Sequence, residues 1–484
     1  MAGWYQRTAV IRWYVFLAAF AILPNLPLLL AGRWLNLLVS RTFDLDYFAV
    51  ALLALFLPRA ATCLLLMLAI AVDFIGAACT TYLFSPSEFI NSMRFGGMLS
   101  TTEAAAISVT LFLVVLICLL AALSVPHSFM HLERRCAAGM LAASLVVLSL
   151  VQAICSPGHP FAGEERSFLR MPSESLVHRQ WIYERYQRGD RLSNMHAMPS
   201  ASAIALHSVP NSPTSMPGRF APNFVQILVE SWGNPKDEAL RKALAAPYFD
   251  VKLLAQYRVM TGTMPFEGPT TSGEARELCG THTGFNASHG SMLQMQHCLP
   301  MRLRAMGYRT LAVHGFKGAM FDREVWYPQM GFQEIWFEDR LKALGMPECP
   351  GPFGGTCDAA IAAWLEERLS QPDDQPLFVH WVTLNSHLPV PVPSPLDHPV
   401  SCAVSAASRG DASICSWYQL VSVVHASVVE MALKQQSRPT IFVIVGDHAP
   451  PFDRQEERSS FSATEVPYVI LLPKTPGGGM LFGN

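Results

Sequence analysis

The sequence predicts two parts: an N-terminal α-helical transmembrane bundle of about five spans, and a C-terminal α/β domain with a largely parallel sheet covered by helices on both faces. Three observations predict it. The 484-residue chain is 51% hydrophobic and only 15% charged, against about 25% charged in an ordinary soluble chain, and the deficit falls in the first third. Beyond it, short continuous apolar runs alternate with helical patterns, as parallel strands linked by helices do. Two of those runs, far apart in sequence, end on carboxylates: 224–229 leads to Glu230, and 441–445 leads to Asp447 and His448.

The first third, residues 1–155, reads as the membrane domain. Residues 9–30 can span. Residues 47–84 are too long for one helix and carry Pro58 and Arg59 inside, which divides them into a short span and a longer one. Residues 104–123 and 136–153 complete five spans, or four if the short segment before Pro58 does not cross, since a crossing helix needs about 20 apolar residues. With five spans Arg7, Arg12, Arg59, Arg134 and Arg135 fall on one side, which the positive-inside rule makes cytoplasmic. Arg33, Arg41 and Arg94 fall on the other, so the bias is modest. The C-terminal domain is then extracytoplasmic. The first apolar run has no small-residue cleavage pattern, so no removed signal peptide is expected.

Residues 156–222 change in composition. Residues 167–191 mix Leu, Trp and Tyr with Arg and Glu and suit a helix on the membrane surface or an ordinary surface helix. Residues 198–222 are rich in Ser, Pro and Ala and read as an extended linker. In residues 223–484, strands are expected at 224–229, 310–314, 377–384, 441–445 and 466–472, with helices at 299–306 and 359–369. Of 11 cysteines, Cys63, Cys79, Cys118, Cys136 and Cys155 sit in or beside the membrane segments. The other six suit disulfides in an oxidising compartment. Their order favours Cys279 with Cys298, Cys349 with Cys357 and Cys402 with Cys415, among about fifteen possible pairings. A net charge of −2 and the lack of a basic stripe exclude a nucleic-acid partner.

In an open α/β sheet the ligand sits beyond the carboxyl ends of the strands. Glu230, Asp447 and His448 therefore share one edge, and two oxygens with one nitrogen suit a divalent metal, zinc or manganese. The run Gly268, Pro269, Thr270, Thr271, Ser272, Gly273, Glu274 offers hydroxyls that a nearby metal could activate, with glycines permitting a close approach. His314 ends the strand 310–314, and His387 follows the strand 377–384. Either could bind phosphate oxygens or move a proton to a leaving alkoxide. Arg323 could clamp a phosphate. His380, inside a strand, reads as a hydrogen-bonded core residue. His282, His289 and His297 carry no spacing signal.

In this order, Glu230-Ser231-Trp232-Gly233, the Gly268–Thr270 loop, His314-Gly315, Arg323, Asn385-Ser386-His387, Gly446-Asp447-His448 and the closing strand resemble the sulfatase/alkaline-phosphatase superfamily. They resemble most its membrane-anchored branch of lipoteichoic-acid synthases, phosphoglycerol transferases and phosphoethanolamine transferases. The resemblance implies an alkaline-phosphatase-like catalytic domain outside the cytoplasm of a bacterial inner membrane. It implies Glu230, Thr270, Asp447 and His448 as metal ligands and Thr270 as the nucleophile, with Thr271 the alternative. His314, Arg323 and His387 would bind the head group. The implied reaction moves phosphoglycerol or phosphoethanolamine from a phospholipid donor, through a phospho-threonine, to an envelope glycan or lipid. Phe321 stands near Arg323 where the lipoteichoic enzymes have Trp, which leaves the head group open. A sulfatase-like phosphodiester or sulfate ester hydrolase is the alternative, although the loop lacks the C/S-x-P-x-R signature of sulfatases. A non-catalytic membrane scaffold is the remaining class.

Overall fold

The structure, a computed structural model, describes residues 13–20, 22–34, 43–82, 93, 101–125, 135, 137–147, 173–174, 197–208, 221–281, 297–351, 354–434, 436–452 and 455–474. The chain divides into two compact units, Met1–Leu192 and Ser193–Asn484.

In the first unit, helices occupy each of the five expected positions. Trp13–Ala31, Arg59–Ala78 and Ala104–Ser124 are long and apolar enough to cross a membrane. Among the described residues, Leu45–Ala54 and Ala137–Val147 are shorter. Phe16, Phe20, Tyr47, Leu66, Ile70, Cys118 and Leu141 pack together inside the bundle. Leu111, Phe112, Leu119, Leu120 and Leu123 face outward, an apolar surface that suits lipid. The buried Asp73 accepts a hydrogen bond from the Tyr47 hydroxyl, so this carboxyl inside the bundle is partnered. Of the helix expected at 167–191, only Ser173–Glu174 is described, and it is extended and paired with Phe43–Asp44.

The second unit is built on a seven-stranded sheet. Its strands are β1 Asn223–Val229, β2 Tyr257–Pro265, β3 Arg309–His314, β4 Glu334–Trp336, β5 Leu377–Val382, β6 Thr440–Gly446 and β7 Glu465–Pro473. Their order is β2-β7-β6-β1-β5-β3-β4. The block β6-β1-β5-β3-β4 is parallel, while β7 is antiparallel to β6 and β2. Every residue of β1, β5 and β6 is buried, which is why these strands read as unbroken apolar runs. Two strands lay outside the expectation. β2 is a half-exposed edge strand containing Arg258 and Gly262, and β4 has three residues.

The helices of this unit that matter below are α1 Ala201–His207, α2 Thr270–Cys279, α3 Arg323–Gln329, α4 Asp358–Ser370 and α5 Ala412–Leu433. α5 is long and apolar enough to cross a membrane. It instead buries Trp417, Val421, Val424 and Val428 in one core cluster with Val225, Ile227 and Phe442 of the sheet. α1 corrects the expected linker at 198–222. Ser200 caps it by accepting the Ala203 N–H, and Ala201, Ser202, Ala205 and Leu206 are buried. Ser and Ala here are an N-cap and good helix formers rather than flexible spacer. Residues 209–220 of that stretch lie outside the described residues. The three disulfides pair as their order suggested: Cys279–Cys298, Cys349–Cys357 and Cys402–Cys415.

Candidate active site

Four neighbouring parallel strands deliver the site. Glu230 follows β1, Asp447 and His448 follow β6, His314 ends β3, and the segment from Thr383 to His387 follows β5. Because β6, β1, β5 and β3 are adjacent in that order, their carboxyl ends share one edge. Thr270 arrives from the other direction, on the first turn of α2 after the β2 strand.

The backbone turns sharply to hold the carboxylates. Ser231 has φ 55°, a left-handed conformation uncommon for a residue with a side chain. This turn directs the Ser231 N–H to Asp447 Oδ1 at 2.7 Å and the Ser231 hydroxyl to Glu230 Oε1 at 2.9 Å. The indole of Trp417, on α5, donates to Ser231 O at 2.9 Å and secures it. Thr383 Oγ1 accepts the Glu230 N–H at 2.9 Å, and Ser386 Oγ donates to Glu230 O at 2.6 Å. The Ser386 bond ties the His387 segment to the Glu230 turn.

Ligand atoms of Glu230, Asp447 and His448 lie within 4.8 Å of one another, and all three residues are buried. Thr270 Oγ1 donates to Glu230 Oε2 at 3.1 Å and lies 3.4 Å from His448 Nε2. His448 Nδ1 is 3.0 Å from Ala449 O. With Nδ1–H donating there, Nε2 presents its lone pair to the carboxylates. Asp447 Oδ2 has no hydrogen-bond donor, although His448 Nε2 lies 3.3 Å away. Burial first, and the nearby Glu230 second, push the Asp447 carboxyl up. Converging lone pairs and crowded buried carboxylates are what a bound divalent cation relieves, so these residues fit a metal.

Thr270 and Thr271 differ. Both are buried, but Thr271 Oγ1 has no hydrogen-bond partner and Thr270 Oγ1 is the hydroxyl at the cluster. Gly273 has a use other than the expected approach of substrate. A Cβ there would lie 3.1 Å from Asp447 Cα, so the missing side chain lets α2 close on the β6 end.

His314 is buried and its Nδ1 lies 3.0 Å from Val382 O. Burial, and then the charge of Arg323, lower its pKa to about 3, so it is neutral at physiological pH. Half-buried His387 has Nδ1 2.6 Å from Leu388 O. Arg323 is buried, and its Nε and one terminal nitrogen both reach Glu274 Oε1, the former at 2.9 Å. Its guanidinium also sits over the Phe321 ring, 5.2 Å from the centroid. Phe321 and Asp322 both have positive φ, at 57° and 54°, which makes this second turn strained too.

Sequence reading missed Glu274. It lies one turn after Thr270 on α2 and accepts from Arg323 and, at 2.8 Å, from Tyr327 Oη. Burial opposes its charge, but Arg323 overrides that and holds its carboxyl down at about 2. The i, i+4 spacing from Thr270 was the available signal. His380, read as a core residue, is buried with Nδ1 2.6 Å from Gln226 Oε1. Arg276 was missed as well, and nothing in its spacing marks it. It donates to Gly446 O at 2.7 Å and Asp447 O at 3.3 Å, holding the β6 end, and to Glu277 at 2.9 Å. Glu277 in turn accepts the Ser202 N–H at 3.1 Å at the start of α1. His282 and His289 lie outside the described residues.

A family model for sulfatases matches residues 222–478, more than half of the chain. The chain belongs to the sulfatase family. Among curated relatives, a Rhizobium meliloti (strain 1021) protein provisionally assigned to cyclic β-1,2-glucan modification is 23% identical over 272 residues. The match covers 54% of this sulfatase-family chain and 41% of that protein, so it spans less than half of the relative's length. Among solved structures, the integral membrane lipooligosaccharide phosphoethanolamine transferase of Neisseria meningitidis is 12% identical. That match covers 88% of this chain and 80% of the other, with a TM-score of 0.45. The Streptococcus pyogenes phosphoglycerol transferase is 15% identical over 57% of this chain and 77% of its own, with a TM-score of 0.39.

Proposed function

We propose that this sulfatase-family protein is a membrane-bound, metal-dependent phosphotransferase of a bacterial inner membrane. It moves a phosphoglycerol or phosphoethanolamine head group from a phospholipid to an envelope glycan or lipid. The observation that carries the reading is Thr270 Oγ1, at a helix start, 3.1 Å from Glu230 Oε2 and 3.4 Å from His448 Nε2. The ordered motifs through His448 narrow it to the membrane-anchored transferases, and the apolar helices of the first unit agree. The three disulfides, with the arginine bias, support residues 223–484 as an extracytoplasmic catalytic domain. The Rhizobium relative makes a glucan a natural acceptor to try.

Glu230, Asp447, His448 and the Thr270 oxygen would hold the divalent cation, zinc or manganese. When bound, it would lower the pKa of the hydroxyl and neutralise charge on the phosphate. Thr270 Oγ attacks phosphorus, the Oγ–P bond forms, and the bond from phosphorus to the diacylglycerol oxygen breaks. The hydroxyl proton ends on diacylglycerol. An acceptor hydroxyl then attacks phosphorus, the Oγ–P bond breaks, and the acceptor's proton returns to Thr270. The start of α2 adds backbone N–H groups and a positive dipole end where the phosphate charge lies. His387, half exposed, carries the proton in both steps. His314, neutral and with Nδ1 committed to Val382 O, binds the head group rather than donating a proton. Arg323, fixed by Glu274, faces the same group.

Diacylglycerol release from vesicles of phosphatidylglycerol and phosphatidylethanolamine tests the reading. Thr270→Ala should abolish release while the protein stays folded and binds zinc. Full activity in that variant would sink the assignment. Release with head-group hydrolysis but no glycan product would favour the hydrolase.

A further inference from the structure

The loops bearing His314 and His387 come from different strands, yet one short segment outside the metal cluster holds both. It is residues 355–358, closed behind by the Cys349–Cys357 disulfide. On the His314 side, the Thr356 N–H donates to Gly315 O at 2.8 Å. The two backbones touch so closely that neither glycine has room for a side chain. A Cβ on Gly315 would lie 2.7 Å from Thr356 O, and one on Gly355 would lie 2.5 Å from Gly315 O. On the His387 side, Asp358 opens α4, and its buried carboxylate accepts the Leu384 N–H at 3.1 and 3.0 Å and the Asn385 N–H at 2.7 Å. Asn385 answers, its Oδ1 accepting the Asp358 N–H at 2.7 Å. The Gly355 Cβ position would also meet Leu384 Cδ2 at 2.5 Å. The segment therefore grips the residue after His314 and the residues just before His387.

We infer that segment 355–358 is the brace that sets the spacing of the two head-group histidines, and that Asp358 is a positioning residue acting through His387. The inference rests on the reading of His314 and His387 as head-group residues. A carboxylate suits the task because it accepts three backbone contacts with two oxygens. An amide in its place would turn a donor toward a backbone donor. Besides the sheet, the His314 Nδ1–Val382 O contact and the Ser386–Glu230 bond tie these loops, and the segment adds a direct clamp on both. A shift of about 1 Å between groups that must meet one phosphate can cost about 100-fold in rate.

The test is a double-mutant cycle on the full chain loaded with zinc, reading diacylglycerol release from vesicles of phosphatidylglycerol and phosphatidylethanolamine. Asp358→Asn should lower kcat by about 10- to 100-fold with zinc content unchanged. In a His387→Ala background the same change should cost less than about 2-fold, because the group it positions is gone. An equal loss in both backgrounds overturns the inference, since a general weakening of the fold would be additive. So would full activity of Asp358→Asn. If Asp358→Asn does not fold, Asn385→Ala decides by the same cycle, since it removes the reciprocal bond and leaves the carboxylate. Failure of the underlying reading is separate: it shows as Thr270→Ala matching wild type. If neither lipid gives up its head group, the cycle is read on bis(p-nitrophenyl) phosphate with the same two outcomes.

Discussion

At the residue scale, two adjacent threonines have different duties. Thr271→Val removes a hydroxyl that has no partner, so we expect stability within about 1 kcal/mol of wild type and retained head-group release. Glu274 is the opposite case. It is buried and answers the charge of buried Arg323, and breaking such a pair from one side costs about 3–5 kcal/mol. Glu274→Ala should therefore show that loss in chemical denaturation, together with a raised KM if Arg323 holds the head group. His314, and His425 of α5, buried with its Nδ1 2.6 Å from Tyr248 Oη, supply a pH dependence. Burial, joined at His314 by the charge of Arg323, lowers both from the ordinary 6.5 to about 3. Between those values the unfolded chain takes up protons that the fold does not. Their contribution is full above pH 6.5 and is lost as pH falls toward 3. The thermal midpoint should drop from neutral to mildly acidic pH, and His425→Phe should flatten that slope. Glu230, Asp447 and His448 were legible because strand ends carry function in this fold class. Glu274 and Arg276 were not, since a buried charge on a helix is meaningful only once its partner's position is known.

At the element scale, the α2 helix joins the metal cluster to Arg323 and to the β6 end. Its first turn carries Thr270, its Gly273 lies against Asp447, its Glu274 fixes Arg323, and its Arg276 holds the β6 end. Gly273→Ala would gain helix propensity but press a methyl onto Asp447. We expect zinc affinity about 10-fold weaker in a chelator competition. Unchanged affinity would mean that the β6 end can move without disturbing the ligands. The fully buried strands were readable as apolar runs, because helices cover both sheet faces. The β2 edge strand was not, because half of it meets solvent and its pattern is mixed. Ala201–His207 reads as linker in sequence because Ser and Ala serve both helix starts and spacers. Its burial and its bond to Glu277 are tertiary facts.

At the scale of the whole molecule, the charge deficit of the first third separates a unit of apolar helices from the sulfatase-family sheet unit, and the two compact units divide at Ser193. Length was harder to read. Leu45–Ala54 is a short helix, as Pro58 suggests, Ala137–Val147 runs to the edge of the described residues, and the crossing-length helix α5 is a core element of the sheet domain. The disulfides bear on the compartment. Each native disulfide is worth about 2–5 kcal/mol, so reduction should lower the thermal midpoint of the second unit. An unchanged midpoint would remove that support for an oxidising environment. The central claim is covalent transfer through Thr270, and peptide mass spectrometry tests it most directly. Zinc-loaded protein exposed to phosphatidylglycerol and phosphatidylethanolamine vesicles should carry phosphoglycerol or phosphoethanolamine on Thr270, with Thr271 unmodified. A Thr270 peptide that stays unmodified while diacylglycerol is released would contradict it.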